Sequence, residues 1–188
     1  MRSDGKEDLR VRRTLENIRR SFEALMLEKD YEKITVTELA SRAMINKKTF
    51  YTYYPSLDDL LSEVQEELSA EFAERTKNYT YRDIDQLTRE FFLFSEEKGP
   101  YYEKITCTDS MIRNRMIRKV YQTADRGYSE LDQFTLAEQN LIRTFVSRTT
   151  LSIYKQWIED GKTVPLEKVI EMTSTMITGG MNEIIRRK

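Results

Sequence analysis

Nine polar side chains between positions 35 and 53 carry the chemistry that stands out in this chain: Thr35, Thr37, Asn46, Lys47, Lys48, Thr49, Tyr51, Thr52 and Tyr53. They are cations, hydroxyls, an amide and flat phenols, the groups that suit phosphate oxygens and base edges. Lys47 and Lys48 suit either a phosphate or a guanine edge, and Thr49 and Thr52 a thymine methyl or a phosphate. Thr35 and Thr37, at the start of a helix, are placed for a phosphate there. Catalysis is a poor fit. The chain has no His, which removes His metal sites, Ser-His triads and the commonest general base. Cys107 is the single cysteine, so neither an intrachain disulfide nor a Cys metal cage can form. Between Thr106 and Thr108 it reads as a passive small residue or a redox-responsive one. With no nucleophile–base pair and no metal constellation, neither an enzyme nor a bound cofactor or metal is expected.

Those side chains need elements to aim them. Thr35 and Glu38 have capping-box spacing, and Val36, Leu39, Ala40 and Ala43 then share one face of a short helix. Met44 and Ile45 make a turn. Asn46 caps a second short helix whose inner side holds Phe50 and Tyr54. Pro55 stops that helix, and Ser56 with Asp59 caps the next. Two short helices joined by a tight turn, the second exposed, form a helix-turn-helix with its reading element outward. Helices of this length do not stand alone. The support is a preceding helix with Leu15, Ile18, Phe22 and Leu25 as its buried stripe.

The run AMINKKTFYTYYPSLDDLL, within a match from about Arg12 to Leu68, resembles the signature of the TetR family of bacterial transcriptional regulators. The shared features are a small residue, a turn, a polar cap, a Thr–aromatic–Tyr helix, and Pro-Ser before a Leu-Leu helix start. The resemblance implies that Tyr51 and Tyr53 are phosphate-contacting phenols. It also implies that the helix after Ser56 ties the reading head to the rest of the molecule, so that tilting it moves the recognition helix. Two departures are visible. Met44 stands where the family usually has Gly, which predicts a less tight or a strained turn. Leu57 replaces the usual Lys, which removes one phosphate contact.

Composition agrees with this reading. A chain of 188 residues, 34% charged and 39% hydrophobic with only 6 Gly and 3 Pro, favours an all-α protein with a real core. The net charge is −1, yet residues 9–54 hold ten Lys and Arg against six Asp and Glu. A basic head on an acidic body is the footprint expected of a discrete DNA-binding part. No apolar run reaches the roughly 20 residues of a spanning helix, and the N-terminus has no signal-peptide core. A soluble, cytoplasmic chain is expected.

In order, residues 1–9 read as a loose polar arm. Arg10, Arg12 and Arg13 follow, either along a DNA backbone or as solvated surface. The helix after Ser56 carries Leu57, Leu60, Leu61, Val64, Leu68 and Phe72. Asp83 caps a helix striped by Ile84, Leu87, Phe91 and Phe94; Gly99-Pro100 ends it, and Pro100 begins a short turn with Tyr101, Tyr102 and Ile105. Asp109 or Ser110 starts another, with Ile112, Met116, Val120 and Tyr121 inward, closed by Arg126-Gly127. Thr135 and Glu138 form a further capping box before a helix from Leu136 to about Glu159, apolar over more than half its circumference, with Gly161 as its C-terminal cap. The last helix starts near Pro165 and runs through Val169, Ile170, Thr173, Met176, Ile177, Met181, Ile184 and Ile185. Gly179-Gly180 within it implies close approach by a partner helix or an early helix end.

Two domains follow: a helix-turn-helix domain at 10–68, its helix-turn-helix at about 34–53, and a helical regulatory and dimerisation domain at 69–188. Two C-terminal helices with more apolar surface than one core needs fit a homodimer built as a four-helix bundle. The stretch Phe145 to Gly161 is similar to the C-terminal helix of one TetR-like subgroup with an aromatic–Trp–aliphatic–acidic–x–Gly ending. The expected partners are double-stranded operator DNA, a second copy, and a small-molecule effector lodged among Phe91, Phe94, Tyr102, Met116, Tyr121, Phe145, Tyr154 and Trp157. The function expected is a homodimeric repressor released by that effector. The competing reading is a regulator or activator controlled by a partner protein.

Overall fold

A computed structural model describes residues 4–79, 83–108 and 131–187. Among them the chain forms seven α-helices, no strand and one 3-10 turn: α1 (Asp4–Glu28), the turn (Tyr31–Lys33), α2 (Val36–Arg42), α3 (Lys47–Tyr53), α4 (Leu57–Arg75), α5 (Ile84–Cys107), α6 (Leu136–Glu159) and α7 (Leu166–Arg186). The fold is all-α, as composition implies. The described residues divide into two compact units: those up to Gln65 together with Pro100–Thr108, and Glu66–Gly99 together with residues from 131 onward.

In the first unit α1 supplies Ile18, Phe22, Leu25 and Met26, all fully buried, and they share the core with Leu39, Phe50, Leu60 and Leu61. Burying each such side chain is worth about 1.5–3 kcal/mol, which lets two seven-residue helices persist where isolated ones would melt. α1 starts at Asp4, so residues 4–9 are helical rather than the loose arm expected from their polarity. Buried Gln65 donates its side-chain N–H to the Ile105 carbonyl at 3.3 Å. The turn carrying Tyr101, Tyr102 and Ile105 therefore belongs to this unit, although the sequence reading put it beyond residue 69.

In α5 the expected stop at Gly99-Pro100 is a kink. Gly99 has φ 73°, ψ −164°, a conformation essentially confined to glycine. Pro100 has no N–H to continue the ladder, yet helical residues resume and run to Cys107.

The second unit is built on α6 and α7. Ile142, Val146, Ile177 and Met181 pack with Ile84, Leu131 and Phe134 into one cluster. α6 opens on the expected capping box: Thr135 Oγ1 accepts the Glu138 N–H at 3.3 Å and the Glu138 carboxylate accepts the Thr135 N–H at 2.7 Å. It closes on Gly161 at φ 67°, with Lys162 N–H donating to Trp157 O and Gly161 N–H to Ile158 O, both at 2.9 Å. That pair of bonds is a Schellman cap. The Trp157 indole N–H donates to Val164 O at 2.7 Å, and Lys162 lies 5.2 Å above the Trp157 ring while pairing with Glu96 at 2.6 Å. In α7 both glycines stay helical, so the pair marks no early end. A Cβ on Gly180 would meet the Phe145 ring at 3.2 Å, whereas one on Gly179 would meet nothing.

The expected helix over Ile112, Met116, Val120 and Tyr121 lies outside the described residues.

Candidate nucleic-acid interface

Three side-chain caps set the angles of the short helices. Thr35 Oγ1 accepts the Glu38 N–H at 3.2 Å. Glu38 does not complete the expected capping box, because its carboxylate accepts from Lys29 at 2.6 Å instead. A cation at the end of α1 competes for it and ties α2 to its support. Asn46 Oδ1 accepts both the Thr49 N–H at 2.7 Å and the Thr49 hydroxyl at 3.0 Å; losing such a cap typically costs about 1 kcal/mol. Ser56 Oγ accepts the Asp59 N–H at 3.2 Å and opens α4.

α3 is held from beneath. Phe50 is fully buried, and Tyr54 is buried with its ring centroid 5.7 Å away. The Tyr54 hydroxyl donates to Glu63 Oε1 at 2.9 Å, and Arg19 of α1 pairs with the same carboxylate. Burial, reinforced by the hydrogen bond to Glu63, raises the Tyr54 phenol above its ordinary value. Tyr54 therefore anchors α3 through α1 and α4. No sequence signal pairs Arg19 with Glu63 across that span.

The opposite face is open. Thr35, Thr37, Asn46, Lys47, Lys48, Tyr51 and Thr52 are exposed, Tyr51 by 53%, while Thr49 and Tyr53 are half-buried. Thr52 donates its hydroxyl to Lys48 O at 2.9 Å, so its methyl and oxygen lone pairs are what it offers outward. Asn46 acts first as a cap. Two nearby cations are neutralised: Arg42 of α2 pairs with Glu28 at 2.7 Å, holding that carboxyl below its ordinary value, and Lys33 pairs with Asp30 at 2.8 Å. Lys47 and Lys48 have no ion-pair partner among the described residues. The uncompensated positive charge of the helix-turn-helix therefore sits on the exposed side of α3. That arrangement can neutralise phosphates and present donors to base edges.

Of the two outcomes expected for the turn before α3, a less tight turn or a strained one, the structure has the second. Met44 has φ 55° and is 86% exposed. Met44 N–H donates to Ser41 O at 3.1 Å and Ile45 N–H to Ala40 O at 3.0 Å, the same Schellman geometry that Gly161 serves at the end of α6.

The residues expected to wall an effector site are dispersed. Phe91, Tyr154 and Trp157 come together with Phe92, which the sequence reading omitted, at ring-centroid distances of 5.2 to 6.2 Å. Phe94 lies against Phe72 at 5.5 Å with Arg75 and Lys98 over its ring. Phe145 is 39% exposed on α6 against Gly180. Tyr102 belongs to the first unit, and Met116 and Tyr121 lie outside the described residues. No helix among the described residues is long and apolar enough to cross a membrane.

Comparison with known proteins agrees with this geometry. Residues 22–64 match the family model "Bacterial regulatory proteins, tetR family", and residues 83–179, just over half the chain, match "Transcriptional regulator C-terminal region". A curated relative, the uncharacterised HTH-type transcriptional regulator YxbF of Bacillus subtilis, is 26% identical over 175 residues. The match covers 85% of this chain but 43% of YxbF, so the chain spans less than half the length of that relative. A TetR transcriptional regulator from Streptococcus agalactiae superposes with a TM-score of 0.71 at 19% identity, covering 93% of this chain and 99% of that one. FadR of Bacillus subtilis, solved in complex with stearoyl-CoA, gives 0.66 at 16% identity over 87% of this chain and 97% of its own. The dihydroxyacetone kinase operon activator DhaS gives 0.54 at 21% identity, over 90% and 96%. At these identities the structural likeness is one of fold. Taken with the family models, the exposed cationic face of α3 makes this chain a member of the TetR family of DNA-binding transcriptional regulators.

Proposed function

We propose that the protein is a homodimeric, cytoplasmic repressor that binds double-stranded operator DNA through α3 and releases it when a small molecule binds in the second unit. Residues 10–68 are the DNA-binding domain on this reading, and 69–188 the regulatory and dimerisation domain. The observation that carries it is the division of α3 into a buried side, Phe50 and Tyr54, and an exposed side on which Lys47 and Lys48 stand unneutralised. Thr35, Thr37, Thr49, Tyr51, Thr52 and Tyr53 supply hydroxyls around that charge.

Pairing has its own support. α6 and α7 bury one face in the cluster of Ile142, Val146, Ile177 and Met181. Each also leaves apolar side chains exposed at helical spacing, Leu141 and Phe145 on α6 and Met172, Met176 and Ile184 on α7. A second copy covering those stripes completes a four-helix bundle.

For the effector, the cluster of Phe91, Phe92, Tyr154 and Trp157 is the apolar site proposed, and stearoyl-CoA, present in the FadR structure, is a rational first probe. The close ring packing there favours keeping the second reading, a regulator or activator controlled by a partner protein; DhaS, which shares the fold, is described as an activator. The test is selection of duplexes from a genomic pool by the purified chain, then release with acyl-CoAs and other apolar acids. Binding without release by any of them, but release on adding cell protein, moves the assignment to the second reading. No sequence-specific binding at all defeats both.

A further inference from the structure

We propose that Met44 is a specificity-determining residue whose thioether side chain packs against thymine methyl groups in the major groove beside α3. This inference rests on the DNA-binding reading above.

Met44 occupies the C′ position of α2, where the backbone must turn left-handed for Ile45 N–H to reach Ala40 O. A left-handed conformation disfavours any residue with a Cβ and an unbranched apolar chain gains nothing there by local hydrogen bonding, unlike Asn or Asp. At the same position of the cap on α6, which makes the same pair of hydrogen bonds, the chain uses Gly161 at φ 67°, followed by Lys162 at φ 56°. Met44 does not recover that strain by packing. It is 86% exposed, and no other large hydrophobic side chain among the described residues is more so. A single exposed apolar residue is ordinary; one held at positive φ and left 86% exposed points to a partner absent from the free protein.

Position says which partner. Met44 lies two residues before Asn46, the cap of α3, and three before Lys47. On this proposal the groove wall of a duplex seated on the exposed face of α3 reaches the turn. In the major groove the chief apolar feature is the C5-methyl of thymine, and an unbranched, polarisable Met side chain adapts to such a surface. Lys47 and Lys48 supply the charge attraction that holds the phosphates in register. The consequence is readout of A·T pairs at the edge of each half-site by contact rather than by hydrogen bonding.

The test pairs Met44→Gly with thymine-to-deoxyuridine replacement, one position at a time, in the duplex selected by the wild-type chain. Deoxyuridine lacks only the C5-methyl. Wild-type protein is expected to lose about fourfold in affinity per contacted methyl, and about 16-fold when one methyl in each half-site is removed. Met44→Gly should bind the thymine duplex more weakly, be indifferent to the replacement, and melt no lower than wild type. Met44→Gln, similar in length but polar, should likewise lose the methyl discrimination. Wild type and Met44→Gly responding identically to deoxyuridine at every position would overturn the proposal while leaving α3 as the reading element. A wild-type chain that selects no duplex would remove the DNA-binding reading and this inference with it.

Discussion

The sharpest consequence of the α3 geometry is a change in salt dependence rather than a simple loss of binding. In the double variant Lys47→Ala, Lys48→Ala, two exposed ammonium groups with no ion-pair partner among the described residues are removed. No intramolecular contact is broken, so stability should stay within about 0.5 kcal/mol of wild type. DNA affinity is another matter. On the proposed homodimer four phosphate contacts disappear, and at about 0.9 per contact the slope of log K against log salt should shallow by about 3.6. Between 50 and 200 mM salt that difference narrows the gap between wild type and variant by roughly 150-fold. Fluorescence anisotropy on the selected duplex across that range measures both lines. Parallel lines would refute the phosphate role. A variant that keeps the slope but loses preference at one base pair would instead place Lys47 or Lys48 on a guanine edge. A melting temperature several degrees lower would show that the pair supports the fold, against the exposure seen here. Adding Tyr51→Ala should abolish binding at moderate salt.

Two further outcomes concern stability. Gly179→Ala, with nothing near its new Cβ, should stabilise the chain by about 0.5–1 kcal/mol through helix propensity. Gly180→Ala should gain less, because its Cβ meets the Phe145 ring, and should recover the full gain when combined with Phe145→Ala; thermal melts of the four variants decide it. Acid should weaken the fold in a defined window. Glu28, Glu97 and Glu167 are held below their ordinary carboxyl value by hydrogen bonds from Arg42, Arg75 and Arg89, and Asp30 by Lys33. A carboxyl depressed in the folded state adds stability above its unfolded value and loses it as pH falls through the folded one. Melting temperature should therefore be level from pH 7 to about 5 and decline below about 4.5, less steeply in Glu97→Gln, Glu167→Gln and in high salt.

What could be read from the sequence was what closes within a turn or two of helix. The Thr135–Glu138 box, the Asn46 cap, the Gly161 cap and the inward pair Phe50 and Tyr54 all depend on residues three to five positions apart, and each is present. What could not be read depends on a partner far along the chain. Glu38 had capping-box spacing, but Lys29 takes its carboxylate. Gly99-Pro100 correctly marked a break, since Pro lacks the N–H for continuation. Whether a helix resumes beyond it is settled by Gln65 reaching Ile105. Phe92 escaped because the stripe of Ile84, Leu87, Phe91 and Phe94 describes one face only, and α5 also buries the side that Phe92 occupies against Tyr154 and Trp157.

Met44 joins the two kinds of information. Its place in a turn was local and legible, and a residue with a Cβ there implied strain, which φ 55° bears out. That its side chain would stay 86% exposed depends on the core of the first unit closing without it: Ile18, Phe22, Leu39 and Phe50 are fully buried. A core that complete leaves the turn residue's side chain little burial to offset its backbone. Lys47 and Lys48 stand in the same relation to charge, left without a counterion while Lys29, Lys33 and Arg42 are each paired. An exposed apolar chain in the turn and two unneutralised cations at the start of α3, within five consecutive residues, together describe the chemistry of a major groove: methyls to be covered and phosphates to be neutralised.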